Sequence, residues 1–367
     1  KQPNDFTQNI GNGSYSTADP YVKKVWDGRY TGIRMCNELL ENIDRVPDLD
    51  PELKKRYIGE AKVLRAYNYY ELYTKFGDVP YTTKVLSIKE SMSIARTAKA
   101  TVIANVLADL DEVINGNYLP TSYDADNKGR ITRWAAMAIK AKIYLFEGNW
   151  KQVKNITSTI MTEGGFKLFG SYAGLFEIAN EYNSEVILDA QYRPTSREHQ
   201  MMYVFLPPTL GGYSQLSPLQ ELVDSYIMLD GKTIKETGTS FDESHPYANR
   251  DPRLKATVMY TGNSYTLADG TEVVINCEKG EGKDGYGVGS DCSATGYYIK
   301  KYWDNTYRAT LYSGLNPILI RYADILLMNA EALAELGELD KTAWDATIKP
   351  IRDRAGFTLA SALERSE

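Results

Sequence analysis

Tyr213 stands in Leu210-Gly-Gly-Tyr-Ser-Gln-Leu-Ser217, where the flanking glycines permit a ring to be displayed. Tyr192 and Arg193 leave an expected strand, Tyr203 and Trp303 share the same irregular region, and Tyr15 lies beside Asn12 in a polar N-terminal stretch. An aromatic ring offers a flat apolar face and loses little rotamer freedom on binding, while a tyrosine tip, an Asn or an Arg exchanges hydrogen bonds. That combination suits a sugar, which has a face of C–H groups rimmed by hydroxyls. These residues are the candidate ligand contacts, each with ordinary loop packing as its alternative. Tyr numbers 28 and Phe only 9, so the chain favours aromatics with a polar tip.

Other chemistries find no constellation. Gly280-Glu-Gly282-Lys-Asp-Gly285 spells G-x-G-x-x-G, but Tyr286-Gly-Val-Gly-Ser-Asp follows, which cannot start the helix a pyrophosphate site needs; a flexible loop is expected. Asp124, Asp126 and Gly129 imitate the start of a calcium loop, yet its twelfth position holds Ala135, so a polar turn capping the next helix is expected. Acidic pairs such as Asp109 with Glu112 read as a solvated helix face, because glycosidic chemistry needs two carboxylates across one bond. His199 and His245 are isolated, which excludes a histidine metal cluster or charge-relay triad. Cys36, Cys277 and Cys292 are too few for a disulfide scaffold; a bridge between Cys277 and Cys292, across a glycine-rich stretch, stays open. The net charge of −6 gives no general attraction to phosphate backbones, so no nucleic-acid partner is expected.

The elements that must position the aromatics are mainly helical. Asp19-Pro20 opens a helix ending near Val46, and Asp50-Pro51 opens one that reaches Gly77. Its latter half is apolar almost all round, so Tyr67, Tyr69, Tyr70 and Tyr73 are expected in the core, with Trp26, Tyr144 and Trp150 on other helices. Further helices are expected over 100–115, 132–147 and 149–162. From 164 to 316 the texture turns to Gly, Pro, Asn and Asp, with strands over 185–192, 271–276 and 297–303 and one helix over 217–226. Helical period returns over 317–337, and a last helix covers 340–355.

Ala141, Gly148 and Trp150 share their spacing with Ala330, Gly337 and Leu339. That offset belongs to tetratricopeptide helix–turn–helix units: the small residue allows close approach, the glycine turns, and the next large residue packs. The expected fold is therefore mainly α, built of tetratricopeptide-like helix–turn–helix pairs, with a loop-rich insertion containing short β-strands.

Several segments together resemble the SusD/RagB family of nutrient-binding lipoproteins of Bacteroidota. They are Gly59-Glu-Ala-Lys-Val-Leu-Arg-Ala-Tyr67 with Phe76-Gly-Asp-Val-Pro80; Gly129-Arg-Ile-Thr-Arg-Trp-Ala-Ala136; Leu222-Val-Asp-Ser-Tyr226 with Asp230-Gly-Lys232; Arg250-Asp-Pro-Arg-Leu254; Gly296-Tyr-Tyr-Ile-Lys-Lys301; the run Pro317 to Ala332; and Ile351-Arg-Asp-Arg-Ala-Gly356. The resemblance implies one SusD-like domain over 1–367, with a helical part at 19–162, a loop-rich ligand-binding part at 163–318 and a returning helix pair at 319–356. It implies a non-enzymatic surface protein of the outer membrane, held by a lipid anchor absent from this chain. Such a protein captures a glycan and passes it to a SusC-like, TonB-dependent transporter. No cofactor is implied, and calcium, held by some members, is given no site. Members carry a lipidated cysteine after a signal peptide and a longer tail, so a chain trimmed at both ends is expected. Two further readings stay open: a peptide-binding uptake protein of the same fold, and an intracellular scaffold built on the repeats.

Overall fold

Two Asp-Pro steps begin the helical part. Asp19 accepts a hydrogen bond from the Tyr21 amide (2.9 Å) and opens α1, Pro20–Asn42; Asp50 accepts from the Leu53 amide (2.8 Å) and opens α2, Pro51–Phe76. Each carboxylate satisfies an amide that the first helical turn leaves without a partner, and the proline following it has no amide to lose. The computed structural model describes residues 13–306 and 311–365; Asn12 lies outside them. The described residues fall into two compact units, 13–165 with 331–337, and 166–330 with 338–365.

The helical unit continues with α3, Ile88–Ser91, α4, Lys99–Asn115, α5, Arg133–Phe146, and α6, Trp150–Glu163. Neighbours pack in the order α1 on α2, α2 on α4, α4 on α5 and α5 on α6. Charged groups staple them. Buried Arg65 on α2 donates to Asp109 on α4 (2.7 and 3.0 Å) and to Asn37 on α1 (2.9 Å), and Asn37 donates in turn to the carbonyls of Thr82 and Lys84. Arg130 forks onto both oxygens of Glu60 (2.9 and 2.8 Å). A guanidinium is tolerated at such depth because planar carboxylate partners meet its donors. The solvated-face expectation fails for Asp109, which is held by Arg65 and Lys62, whereas Glu112 is exposed and pairs with Lys62.

The expected aromatic core of the helices holds only in part. Tyr69 and Tyr73 are fully buried, whereas Trp26, Tyr67, Tyr70, Tyr144 and Trp150 are half-exposed. Several form an edge-to-face ladder instead, Trp26 on Phe76 (5.1 Å) and Tyr70 on Tyr73 (5.8 Å). Asp124 caps a single polar turn through the Asn127 amide (3.0 Å), but it does not cap the next helix: Thr132 does, accepting from the Ala135 amide (3.3 Å).

In the second unit the elements are short: β1, Val186–Asp189; α7, Met201–Phe205; α8, Gln220–Ser225; α9, Pro252–Thr257; β2, Val258–Met259; β3, Ser264–Thr266; β4, Glu272–Val274; β5, Tyr298–Ile299; and β6, Ile318–Arg321. They make three two-stranded antiparallel sheets, β1–β6, β2–β5 and β3–β4. Then come α10, Tyr322–Glu335, α11, Lys341–Ala346, α12, Ile348–Ala355, and α13, Ala360–Leu363. Gly148 after α5 and Gly337 after α10 both take left-handed backbone (φ +68° and +70°), the conformation glycine supplies at a helix end. Ala141 and Ala330, seven residues before them, are buried.

Two expectations are corrected here. Residues 318–321 belong to a strand: Ile320 is buried while Leu319 is exposed, the alternation of a strand, and they pair with β1. The last helix breaks at Thr347 into α11 and α12, because Pro350 in an unbroken helix would clash with the Ala346 carbonyl. Cys277 and Cys292 are both buried free thiols, and the latter lies 3.2 Å from the Lys283 carbonyl, so the open question of a bridge is answered against it. The 280–285 segment is a run of turns with no helix after it. Among the described residues no helix is long and apolar enough to cross a membrane.

One buried carboxylate closes this unit. Glu185, immediately before β1, has no exposed surface; its Oε1 accepts from Arg321 at the end of β6 (2.8 Å), and its Oε2 accepts from Arg354 on α12 (2.7 Å) and the Phe169 amide (2.7 Å). The Glu185 carbonyl accepts from the Tyr322 amide (2.7 Å), so the same residue meets the start of α10. Removing one member of such a cluster leaves buried charge uncompensated. Glu185→Gln keeps the shape but strips the charge, and is expected to lower unfolding free energy in urea by about 3 kcal/mol or more; a change under about 1 kcal/mol, the range of surface ion pairs, would show the clamp to be dispensable.

Candidate ligand-binding site

The sequence-nominated aromatics reach three different situations. Tyr203 lies on α7, whose Met202 and Phe205 anchor it in a buried cluster with Tyr265, Tyr298 and Ile275. The chain after α7 turns back at Gly211 (φ +84°) and Gly212, where any Cβ would stand 2.2 Å from the Leu206 carbonyl oxygen. Glycine is obligatory there, and the reversal lets the Tyr213 amide donate to the Tyr203 carbonyl (2.9 Å). Their rings meet at 4.3 Å and 32°, both half-exposed, and a hydrogen bond with Tyr213 raises the Tyr203 pKa. The structure therefore brings Tyr203 and Tyr213 together as one small aromatic surface.

Tyr192 is spent locally. Its amide donates to Asn316 (2.6 Å), the His199 ring meets it edge-on at 4.7 Å, and the Arg197 guanidinium lies 5.4 Å from its centroid. His199 in turn accepts from the Met201 amide at Nδ1 and faces the Leu315 carbonyl with Nε2 (2.8 Å), which assigns the proton to Nε2. Arg193 is exposed and bridges to Arg197 through backbone only. Tyr15 is exposed in the helical unit.

Trp303 borders a cleft of about 660 Å³ formed by the turn at 173–179, α9 and the segment 300–306. Its indole N–H donates to the Thr266 carbonyl on β3 (2.8 Å), and its ring leans edge-on against buried Tyr265 at 5.3 Å. Tyr265 is itself pinned through its hydroxyl to the Ile299 carbonyl (2.7 Å). The indole is thus a fixed wall on a strand-backed frame, with Phe176, Tyr302, Asp304 and Asn305 around the same opening. A cleft of this size with an immobile aromatic and scattered polar groups is the usual form of a small-ligand site.

Residues beyond the nominated set also face the cleft. Lys255, Lys300 and Lys301 line it, and the sequence signal for two of them was the Lys-Lys pair after β5. The Lys301 ammonium sits 3.8 Å from the Phe176 ring centroid, with Tyr172 and Tyr302 at 5.7 and 5.9 Å. Among the described residues no three His, Cys, Asp or Glu side chains converge in a way that could hold a metal ion.

The SusD family matches residues 174–365, and a second family, described as starch-binding associating with outer membrane, matches residues 3–145. The chain belongs to the SusD family. A SusD-like protein of Formosa agariphila is 32% identical over 196 residues, 51% of this chain and 37% of that protein; a second from the same organism is 24% identical over 92% of this chain and 64% of its own length. The chain thus spans between about a third and two thirds of these curated relatives. Among solved structures, a SusD-like carbohydrate-binding protein from Bacteroides fragilis superposes with a TM-score of 0.85 at 26% identity, covering 96% of this chain and 68% of that one. The helical, tetratricopeptide-like fold expected from the sequence is the fold observed.

Lys301 gives the site a pH signature. Burial, with Arg321 and Arg354 on the same side and Asp324 and Glu185 opposing them, brings its pKa down to about 8. Between that value and the ordinary lysine pKa the unfolded chain holds the extra proton, so Lys301 contributes stability that rises as pH climbs through this window. Lys301→Met is expected to raise the melting temperature at pH 7 and to abolish that rise between pH 8 and 10. Parallel wild-type and variant curves across the window would show Lys301 to be solvated.

Proposed function

We propose that this chain is a surface glycan-binding lipoprotein, which captures oligo- or polysaccharide and delivers it to a SusC-like, TonB-dependent transporter at the outer membrane. The observation that carries the reading is Trp303, held through its N–H and an edge-on contact with Tyr265 on the wall of an open cleft. Sugar rings present C–H faces, and an indole fixed in advance meets one without losing rotamer freedom. Family membership and the carbohydrate-binding relative from Bacteroides fragilis support it. Capture is by stacking and hydroxyl recognition, without covalent chemistry. Tyr203 with Tyr213 supplies a second aromatic surface; Asn12, Tyr15, Tyr192 and Arg193 carry less of the argument.

Trp303→Ala is expected to weaken glycan affinity by about tenfold or more, as loss of a buried aromatic anchor does, with far-UV circular dichroism unchanged. Tyr213→Ala, which removes half of the exposed pair, is expected to cost less. Affinity electrophoresis against polysaccharides beside a peptide panel reads both. Full glycan binding by a folded Trp303→Ala protein would remove the site, and binding of peptides alone would replace the ligand class.

A further inference from the structure

Three lysines line the Trp303 cleft in a protein whose net charge is −6. Lys255 extends from α9 and is exposed; Lys300 and Lys301 follow β5 in succession. Both line the opening, Lys300 reaching toward Asn263 and Lys301 toward the Phe176 ring.

None of the three forms an ion pair within the described residues. Lys300 donates only to the Asn263 amide oxygen (3.0 Å), and Lys301 lies over the Phe176 ring. Carboxylates do stand nearby, beyond ion-pair distance: Glu272 on β4 faces Lys255 and Lys300, Asp324 and Glu185 face Lys301, and Asp304 and Glu177 line the cleft. Asp304 is buried and accepts from the Thr306 amide and hydroxyl and from the Ser313 hydroxyl, while Glu177 accepts from Asn180. Burial and then the neighbouring Lys255 lower the Lys300 pKa, with Glu272 opposing them. Like charges brought together beside an aromatic wall are relieved by an anion arriving with the ligand.

We propose that the cleft selects saccharides carrying an anionic group, a uronate carboxylate or a sulfate ester, with a sugar ring against Trp303 and the anion toward Lys255, Lys300 and Lys301. This rests on the glycan-binding reading and narrows it: neutral sugars would use the indole alone, acidic ones the indole and the lysines together. Selectivity of this origin weakens as salt screens it, more for exposed Lys255 than for the two partly buried lysines.

The test is affinity electrophoresis and titration calorimetry with polygalacturonate and a sulfated carrageenan, against neutral laminarin and xylan. Acidic polymers are expected to bind about tenfold more tightly than neutral ones, each tenfold being one charge-assisted contact in size. The double variant Lys255→Gln/Lys300→Gln retains a donor for Asn263 and should lose that advantage, its affinity for the acidic polymers falling to that for the neutral ones. Binding of only the uronate or only the sulfate polymer supports the proposal and names the group. Neutral glycans bound as tightly as acidic ones, or acidic binding unchanged in the double variant, would overturn it and leave the glycan-binding reading standing. No retardation by any of the four polymers would overturn both.

Discussion

A carboxylate without exposed surface is stable only if its oxygens are met by donors and its charge by cations, and Glu185 meets that condition with two guanidiniums and an amide. Its partners come from three remote stretches of chain: the 169 turn, the end of β6, and α12. β1 and β6 are thereby locked as neighbours, and the whole irregular excursion between residues 190 and 317 has its two ends fixed together, reinforced where the Ala190 amide donates to the Pro317 carbonyl (2.9 Å). Short strands and three two-stranded sheets would not hold so long a segment in one arrangement by backbone pairing alone. The excursion carries the α9 and 300–306 walls of the cleft, so the placement of those walls depends on a charge cluster at its base.

Within that frame, whether an aromatic can serve as a platform is decided by what its own edges and faces already touch. Trp303 spends its N–H on Thr266 and one flank on Tyr265, which fixes its orientation and leaves it at an opening. Tyr192 lies equally far from regular structure, yet His199 and Arg197 both engage its ring. Tyr213 stands between the two, sharing a ring contact with Tyr203 that buries part of each. Being in a loop is thus a weak guide to display; the neighbours that arrive from elsewhere in the chain settle it.

Local signals were legible in the sequence wherever a residue acts on its immediate neighbours. Asp19 and Asp50 cap the helices they precede, Gly148 and Gly337 turn where the repeat places them, and Asp124 caps its own turn. What escaped reading was settled by partners distant in the chain. Ile318–Arg321 looks helical beside the following run and becomes a strand because β1 lies opposite. Asp109 looks like one more surface acid on a helix until Arg65 reaches it from α2. The cleft lysines were visible only as a pair of letters, since their meeting with Lys255 needs the α9–β5 proximity that no spacing rule contains.

The clamp and the cleft share charged groups, and their balance follows from counting. Glu185 and Asp324 bring two negative charges to a cluster in which Arg321, Arg354 and Lys301 bring three positive ones, and the Arg321 amide further engages the Asp324 carboxylate (2.8 Å). Counted around Lys301, the two arginines and the two carboxylates offset one another, which leaves burial as the chief influence on its proton. That is why burial acts on it with so little resistance, and why its place at the edge of the cleft matters. An arriving anion would stabilise the charged ammonium that burial destabilises.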